Sequence, residues 1–412
     1  MKIALYGNVC NNMYAIAKAL RASSSSYDVH LYLPKNSDFN NLPENDDPEL
    51  HNNYPVWIHR SRDFNLTSPL FFWKKNIVSE LRKYDLVILS SLAVALAPYL
   101  KKTRVFFYAT GGDLTVLPFK EIHRTLLYSG KPYNIKPLVY QYFQRAGIRR
   151  SDKIITQPFY PFVNALTKLK IPPPQIAESY FPIIFDVKKY RFRSNYFDEI
   201  DYSTREVLTR FSFKIFHPSR ILTDRHPDLI QAGQWKRNDL LIEAFAAFIK
   251  NKSTLDAGLY LIDRSYGLDK GIVELKKLIT KLRIEKYVVW LQPKNRKGFT
   301  RNELLAIYSC CDLVADDFGA GWFGSICVEG FSCSKPVLSY VDEEAMAKIY
   351  PWHPFLSSNS LEVNADLIAR CYFDKEFCRN QGELGRQWVL EFHSQENAGR
   401  MYVKEFERLL DQ

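Results

Sequence analysis

Short apolar runs alternate with stretches of helical period along nearly the whole chain, and the pattern is laid down twice. In the first half, residues 2–6 read as a strand. Asn8, Asn11 and Asn12 then precede a helical stretch that offers Tyr14, Ile16, Ala19 and Leu20 for packing, and 29–33 reads as the next strand. Further strands are predicted at 86–89, 104–109, 154–156 and 179–185, with an apolar helix at 93–100. Residues 35–53, rich in Asn, Asp and Pro, read as an exposed loop, and 188–210 as a polar connection. The second half restarts with strands at 214–217, 259–262, 288–291, 313–315 and 337–340. Helices are predicted between them at 240–249, 271–282, 302–309 and 325–333. Helical stretches at 388–392 and 398–410 close the chain. Strands alternating with helices at this spacing predict an α/β protein built of two doubly wound parallel sheets. The expected division is 1–205, 206–390 and a terminal segment 391–412.

Composition narrows the class. A chain of 412 residues is long enough for two full cores. No apolar run reaches the ~18 residues of a transmembrane helix, and the start, MKIALYG, lacks a signal-peptide pattern. The seven cysteines are scattered without a C-x-x-C, which fits a reducing cytoplasm and argues against a zinc site. The net charge of +11 is uneven: from Ser68 to Lys153 there are 15 Lys/Arg against 5 Asp/Glu. Phe71, Phe72, Trp73, Tyr128, Tyr133, Tyr140, Tyr142 and Phe143 lie among them. Cations interleaved with rings suit an anionic membrane surface, or equally a solvated basic face over an aromatic core. No helix–turn–helix, finger or RNP-type pattern is present, so no nucleic-acid partner is expected.

Candidate chemistry concentrates in the second half. After the strand at 313–315 come Gly319, Gly321 and Gly324, where backbone can approach a ligand closely. A helix then opens at Ser325. Such a helix start is an anion site, because its free N–H groups and its dipole point at the ligand. Glu329, about one turn inside, is within reach of a hydroxyl-bearing group beside that anion. Arg220 follows the strand at 214–217, and Lys236 precedes the helix at 240–249. An Arg fork with a Lys point charge stabilises a diphosphate leaving group. In the first half, the turn at Gly7 and Asn8 lies at the carboxyl end of the first strand, where doubly wound sheets bind ligands. Thr110-Gly111-Gly112-Asp113 follows another strand, and Asp113 reads either as an acceptor-side acid or base or as a helix cap. His123 reads as structural.

These motifs resemble the nucleotide-sugar site of retaining glycosyltransferases of the GT-B fold, the family-4-like group. Its signature is two glutamates with seven residues between them, flanking Gly-Phe-Gly, then a small residue, Gly, Lys, Pro and Val. Trp322-Phe323-Gly324 stands for the central triplet, Glu329 for the second glutamate, and Ser334-Lys335-Pro336-Val337 for the tail. Gly321 occupies the place of the first glutamate, which in the family lies near the transferred sugar; Asp316 or Asp317 is the candidate substitute. Arg220 and Lys236 match the family's Arg and Lys-Gly-x-Asp, with Arg237 in place of the glycine. The resemblance implies two Rossmann-like domains facing a central cleft, with the terminal helix crossing back to the first. It also implies sugar transfer from a UDP- or GDP-linked donor to a hydroxyl acceptor with retention. The diphosphate would lie on Arg220, Lys236, Gly324 and Ser325, the ribose on Glu329, and Gly7, Asn8 and Asp113 would line the site. No cofactor or metal is expected, since side-chain cations do the metal's electrostatic work. A saccharide or lipid-linked saccharide acceptor at the inner face of a cell membrane fits the basic aromatic segment. The alternatives are an epimerase or hydrolase of the same fold, or an inactive nucleotide-sugar-binding protein.

Overall fold

The computed structural model describes residues 1–51, 53–61, 77–119, 135–177, 181–192, 194–223, 225–250, 255–264, 269–294 and 298–411. His123 and much of the basic aromatic segment, including Phe71, Phe72, Trp73, Tyr128 and Tyr133, lie outside them. The chain forms two compact units, Met1–Ile184 with Gln395–Gln412, and Phe185–Ser394.

The first unit is a parallel sheet of β1 (Lys2–Tyr6), β2 (Asp28–Pro34), β3 (Ile58–Ser61), β4 (Leu86–Ser90), β5 (Arg104–Tyr108) and β6 (Lys153–Ile155), in the order β3-β2-β1-β4-β5-β6. The central strands read as continuous apolar runs because helices cover both faces; every residue of β4 is buried. The helix Gln395–Leu410 packs on the helix Asn12–Ser23 and sends Tyr402 and Phe406 into this unit's core, both fully buried. Each such ring contributes roughly 2–3 kcal/mol by leaving water. The Tyr402 hydroxyl donates to the Pro182 carbonyl at 3.0 Å, so the ring is buried with its polar end satisfied.

The second unit is a parallel sheet of β7 (Phe213–His217), β8 (Ala257–Ile262), β9 (Val288–Leu291), β10 (Leu313–Ala315) and β11 (Val337–Leu338), in the order β11-β10-β7-β8-β9. Its core joins these strands to the helices Asn238–Lys250, Lys270–Leu282 and Leu361–Phe373. In both sheets strand order reverses next to the first strand, between β1 and β4 and between β7 and β10. Ligand crevices of doubly wound sheets open at the carboxyl ends of strands at such reversals.

Several elements differ from the sequence expectation, and the helices Ile135–Arg150, Tyr160–Lys168 and Leu361–Phe373 were not predicted. The 93–100 helix is a 3-10 run, Ser91–Tyr99, with Pro98 near its end. Residues 181–185 form no strand; Phe185 makes only an isolated bridge with Ser394. The chain therefore leaves the first unit at Ile184 rather than at 205, and residues 202–208, read as a connection, form the helix Tyr202–Leu208 within the second unit. The edge strand β3 was not predicted, because Ile58–Ser61 is four residues with one buried side chain.

Candidate functional site

At the carboxyl ends of β7 and β10 the second unit places a cluster of buried polar side chains. His217 ends β7 and is fully buried. Its Nδ1 lies 2.9 Å from the Ala315 carbonyl, which only accepts, so Nδ1 carries the proton. Its Nε2 therefore accepts from the Asn238 amide at 2.8 Å. Asn238 also donates to the Arg220 carbonyl at 3.2 Å and accepts from the Leu222 N–H at 2.9 Å. One histidine and one asparagine thus fix the loop that carries Arg220. Burial holds His217 below its ordinary pKa, against the neighbouring carboxylates Asp316 and Asp317, and the Lys236 cation acts in the same direction as burial.

Two adjacent aspartates fasten the remaining parts. Asp316 accepts from the Ser219 hydroxyl, in the Arg220 loop, and from the Cys327 thiol at 3.3 Å, in the first turn of the helix Ser325–Ser332. Asp317 pairs with the Lys236 ammonium. Its second oxygen accepts from the Gly319 and Ala320 N–H groups at 2.8 and 3.1 Å, closing the glycine turn. Burial lowers the Lys236 pKa, but Asp317 and then Asp316 outweigh it, and the pKa stands above its ordinary value. Arg220 is exposed and close enough for its charge to oppose Lys236's. Arg220, Lys236 and the start of the Ser325–Ser332 helix are thereby tied to one pair of aspartates. Both aspartates are buried and bonded to these partners.

The turn itself is shaped by backbone. A Cβ at Gly319 would stand 2.0 Å from the Trp235 carbonyl, next to Lys236. Gly321 has φ +74°, so a glutamate there would be strained even with room for it. Arg237, where the family pattern has glycine, has φ +51° and carries that strain. Its guanidinium lies 5.3 Å over the Trp235 ring and donates to the Asn359 carbonyl at 3.2 Å. Trp322 and Phe323 are buried and stacked at 5.3 Å, anchoring the turn in the core. Gly324 differs: nothing lies within 4 Å of a Cβ placed there, and the helix it opens has no side-chain cap. The backbone at Gly324 therefore borders open space where the uncapped helix begins. Glu329, one turn on, is buried, with one oxygen accepting from Arg301 and the other from the Tyr308 hydroxyl at 2.8 Å.

In the first unit, Gly7 has φ +99° and passes so close to Ser90 that a Cβ would meet its carbonyl at 2.2 Å. Asn8 is buried; its amide donates to Asn11 and to the Asn41 carbonyl, and its oxygen accepts from the Tyr14 N–H. Asn8 thus holds the 36–41 loop against the start of the first helix. Gly7, Asn8, Ser37, Asp38, Ser90 and Tyr140 are among the lining of a cavity of ≈ 270 Å³ at this sheet's own strand reversal. Asp113 is not presented to that cavity's lining or to solvent. It is 4% exposed, and its oxygens accept from the N–H groups of Ser91, Thr110 and Gly111 and from the Thr110 hydroxyl. Its carboxylate ties the loop after β4 to the loop after β5, a task nearer the helix-cap reading than the acid–base one. Burial raises its pKa, and those four donors pull it back.

The sequence reading picked out Arg220, Lys236, Gly324, Ser325 and Glu329, which fall in one unit at one strand reversal. It missed His217, Asn238, Arg301 and Tyr308. A histidine ending an apolar strand was the available signal for the first; the other three carry none at the level of spacing.

No protein-family model matches the chain, and no curated protein matches it. Solved structures do. Anabaena Alr3699/HepE in complex with UDP and glucose aligns over 99% of this chain and 100% of that one, with TM-score 0.66 at 16% identity. A sucrose-phosphate synthase from Thermosynechococcus elongatus aligns over 100% and 99%, with TM-score 0.62 at 15% identity. A glycosyltransferase from Rickettsia africae aligns over 99% and 98%, with TM-score 0.62 at 17% identity. At such identities the likeness establishes the fold, which is GT-B.

Proposed function

We propose that this chain is a glycosyltransferase that moves a sugar from a nucleoside-diphosphate sugar to a hydroxyl acceptor. The observation that carries the reading is the Arg220 loop, Lys236 and the uncapped helix start beside Gly324, tied together through Asp316 and Asp317 at one strand reversal. Two cations and a helix dipole suit a diphosphate. In the reaction the bond from the anomeric carbon to the β-phosphate oxygen breaks and the acceptor oxygen bonds to that carbon. The acceptor hydroxyl passes its proton to the leaving diphosphate oxygen. Arg220, Lys236 and the Gly324 and Ser325 N–H groups take the charge that grows on the leaving diphosphate. Glu329 accepts from the ribose hydroxyls.

The first unit takes the acceptor side, where the cavity beside Gly7 and Asn8 offers polar groups, with Asp38 among them, suited to saccharide hydroxyls. Retention follows the family resemblance. UDP as the nucleotide is supported by the similar Anabaena protein, which has been crystallised with UDP and with UDP-glucose; GDP is the other candidate. A lipid-linked saccharide at the inner face of a membrane is supported by the basic aromatic segment, of which Leu138 and Tyr142 are exposed on the helix Ile135–Arg150. Among the described residues no helix is long and apolar enough to cross a membrane. Flotation with anionic liposomes at low salt reads out peripheral association.

A thermal-shift screen against UDP, GDP, ADP and CMP tests the assignment, because a bound nucleotide adds RT ln(1 + [L]/Kd) of stability. Stabilisation by one diphosphate, abolished in Lys236→Ala, is expected; indifference to all four would sink the reading. A second reading, a nucleotide-sugar-binding protein without catalysis, is favoured by Gly321 and by the engagement of both aspartates. Nucleotide release on adding donor and a saccharide acceptor panel excludes it.

A further inference from the structure

We propose that Arg301 is a positioning residue that gives the site its preference for ribose hydroxyls, by fixing the Glu329 carboxylate ahead of nucleotide binding. The inference rests on the reading of Glu329 as the ribose contact. Glu329 is 5% exposed, and each of its oxygens already meets one donor, Arg301 on Oε1 and the Tyr308 hydroxyl on Oε2. An ionised carboxylate oxygen has two acceptor positions, so one is left on each. Two vicinal hydroxyls require that geometry: two acceptors side by side, held still. A free glutamate would have to give up its rotamer freedom on binding. Here that cost is met during folding.

The two donors are themselves held. Arg301 is the first residue of the helix Arg301–Cys310, whose start is fastened by the reciprocal cap of Thr300 and Glu303. Its guanidinium also lies 5.7 Å over the Tyr190 ring. Tyr308 is fully buried, and burial together with the Glu329 charge pushes its hydroxyl well above its ordinary pKa. It therefore stays a proton donor throughout the working range. Arg301 keeps its charge at any such pH. Glu329 is accordingly gripped by one permanent cation and one permanent neutral donor, an arrangement of greater complexity than a plain strand–turn–helix needs.

The experiment compares UDP with 2′,3′-dideoxy-UDP by titration calorimetry; GDP and its dideoxy form replace them if GDP is the nucleotide bound. Wild type should prefer the ribonucleotide by about 10- to 100-fold, the worth of hydrogen bonds to a charged group. Arg301→Ala should lower UDP affinity about tenfold and leave dideoxy-UDP unchanged, so that the preference shrinks by that factor. Arg301→Lys, which keeps the charge and is the variant to use if Arg301→Ala fails to fold, should restore part of it. Tyr308→Phe should act in the same direction. Equal loss of both nucleotides, or a preference untouched by any folded Arg301 variant, overturns this inference while leaving the site's assignment standing. A wild type that binds neither nucleotide overturns both.

Discussion

Lys236 and Asp317 form an ion pair at the carboxyl end of β10, with the aspartate 2% and the lysine 22% exposed. The pair both builds the site and supplies its charge. Lys236→Met leaves Asp317 buried without its cation and should cost about 2–3 kcal/mol, somewhat less than a fully buried pair because the lysine is partly solvated. Adding Asp317→Asn should recover part of that stability but none of the nucleotide affinity. Urea denaturation and nucleotide titration of the single and double variants check both halves. Recovery of affinity in the double variant would remove Lys236 from the binding site.

Arg237 inverts the usual ranking of alanine over glycine. With φ at +51°, Arg237→Gly and Arg237→Ala lose the same contacts to Trp235 and Asn359, but only alanine keeps the strain. The glycine variant should be more stable by about 1 kcal/mol. Urea midpoints of the two variants measure it directly.

Gly319 and Gly324 separate folding from binding. A methyl at Gly319 meets the Trp235 carbonyl at 2.0 Å, so Gly319→Ala should destabilise by about 2–3 kcal/mol. At Gly324 nothing lies within 4 Å, and Gly324→Ala should change stability by less than about 0.5 kcal/mol. It should nonetheless weaken nucleotide binding, since the methyl occupies the space beside the helix start. Full affinity in Gly324→Ala would place the phosphates elsewhere.

His217 makes stability depend on acidity. In the unfolded chain it takes up a proton near its ordinary 6.5; folded, burial holds it lower. Its contribution is therefore complete above 6.5 and is lost as pH falls through the folded value, because the unfolded state then binds more protons. Between about pH 7.5 and about pH 5.5, wild type should lose more stability than His217→Gln, which has no proton to gain. Equal acid sensitivity of the two proteins would contradict the buried neutral imidazole.

The order of strands and helices, the restart near residue 214, and the residue types of Arg220, Lys236, Gly324 and Glu329 were legible in the chain itself. Apolar runs such as Leu86–Ser90 and Leu313–Ala315 must be buried on both faces, and a parallel sheet between helices is the arrangement that does so. Glycine and proline marked the turns because their backbone limits are local. What stayed hidden was set at long range. Asp316 and Asp317 looked like free carboxylates until the β7–β10 pairing brought Ser219 and Lys236 onto them. Asp113 read equally as an acid or base and as a helix cap until the β4–β5 pairing surrounded it with main-chain donors. Burial, hydrogen-bond saturation and the partner of each charge arise from segments up to about a hundred residues apart. Residue type states what a side chain is able to do, and only the packed sheet decides which of its lone pairs and protons remain to do it.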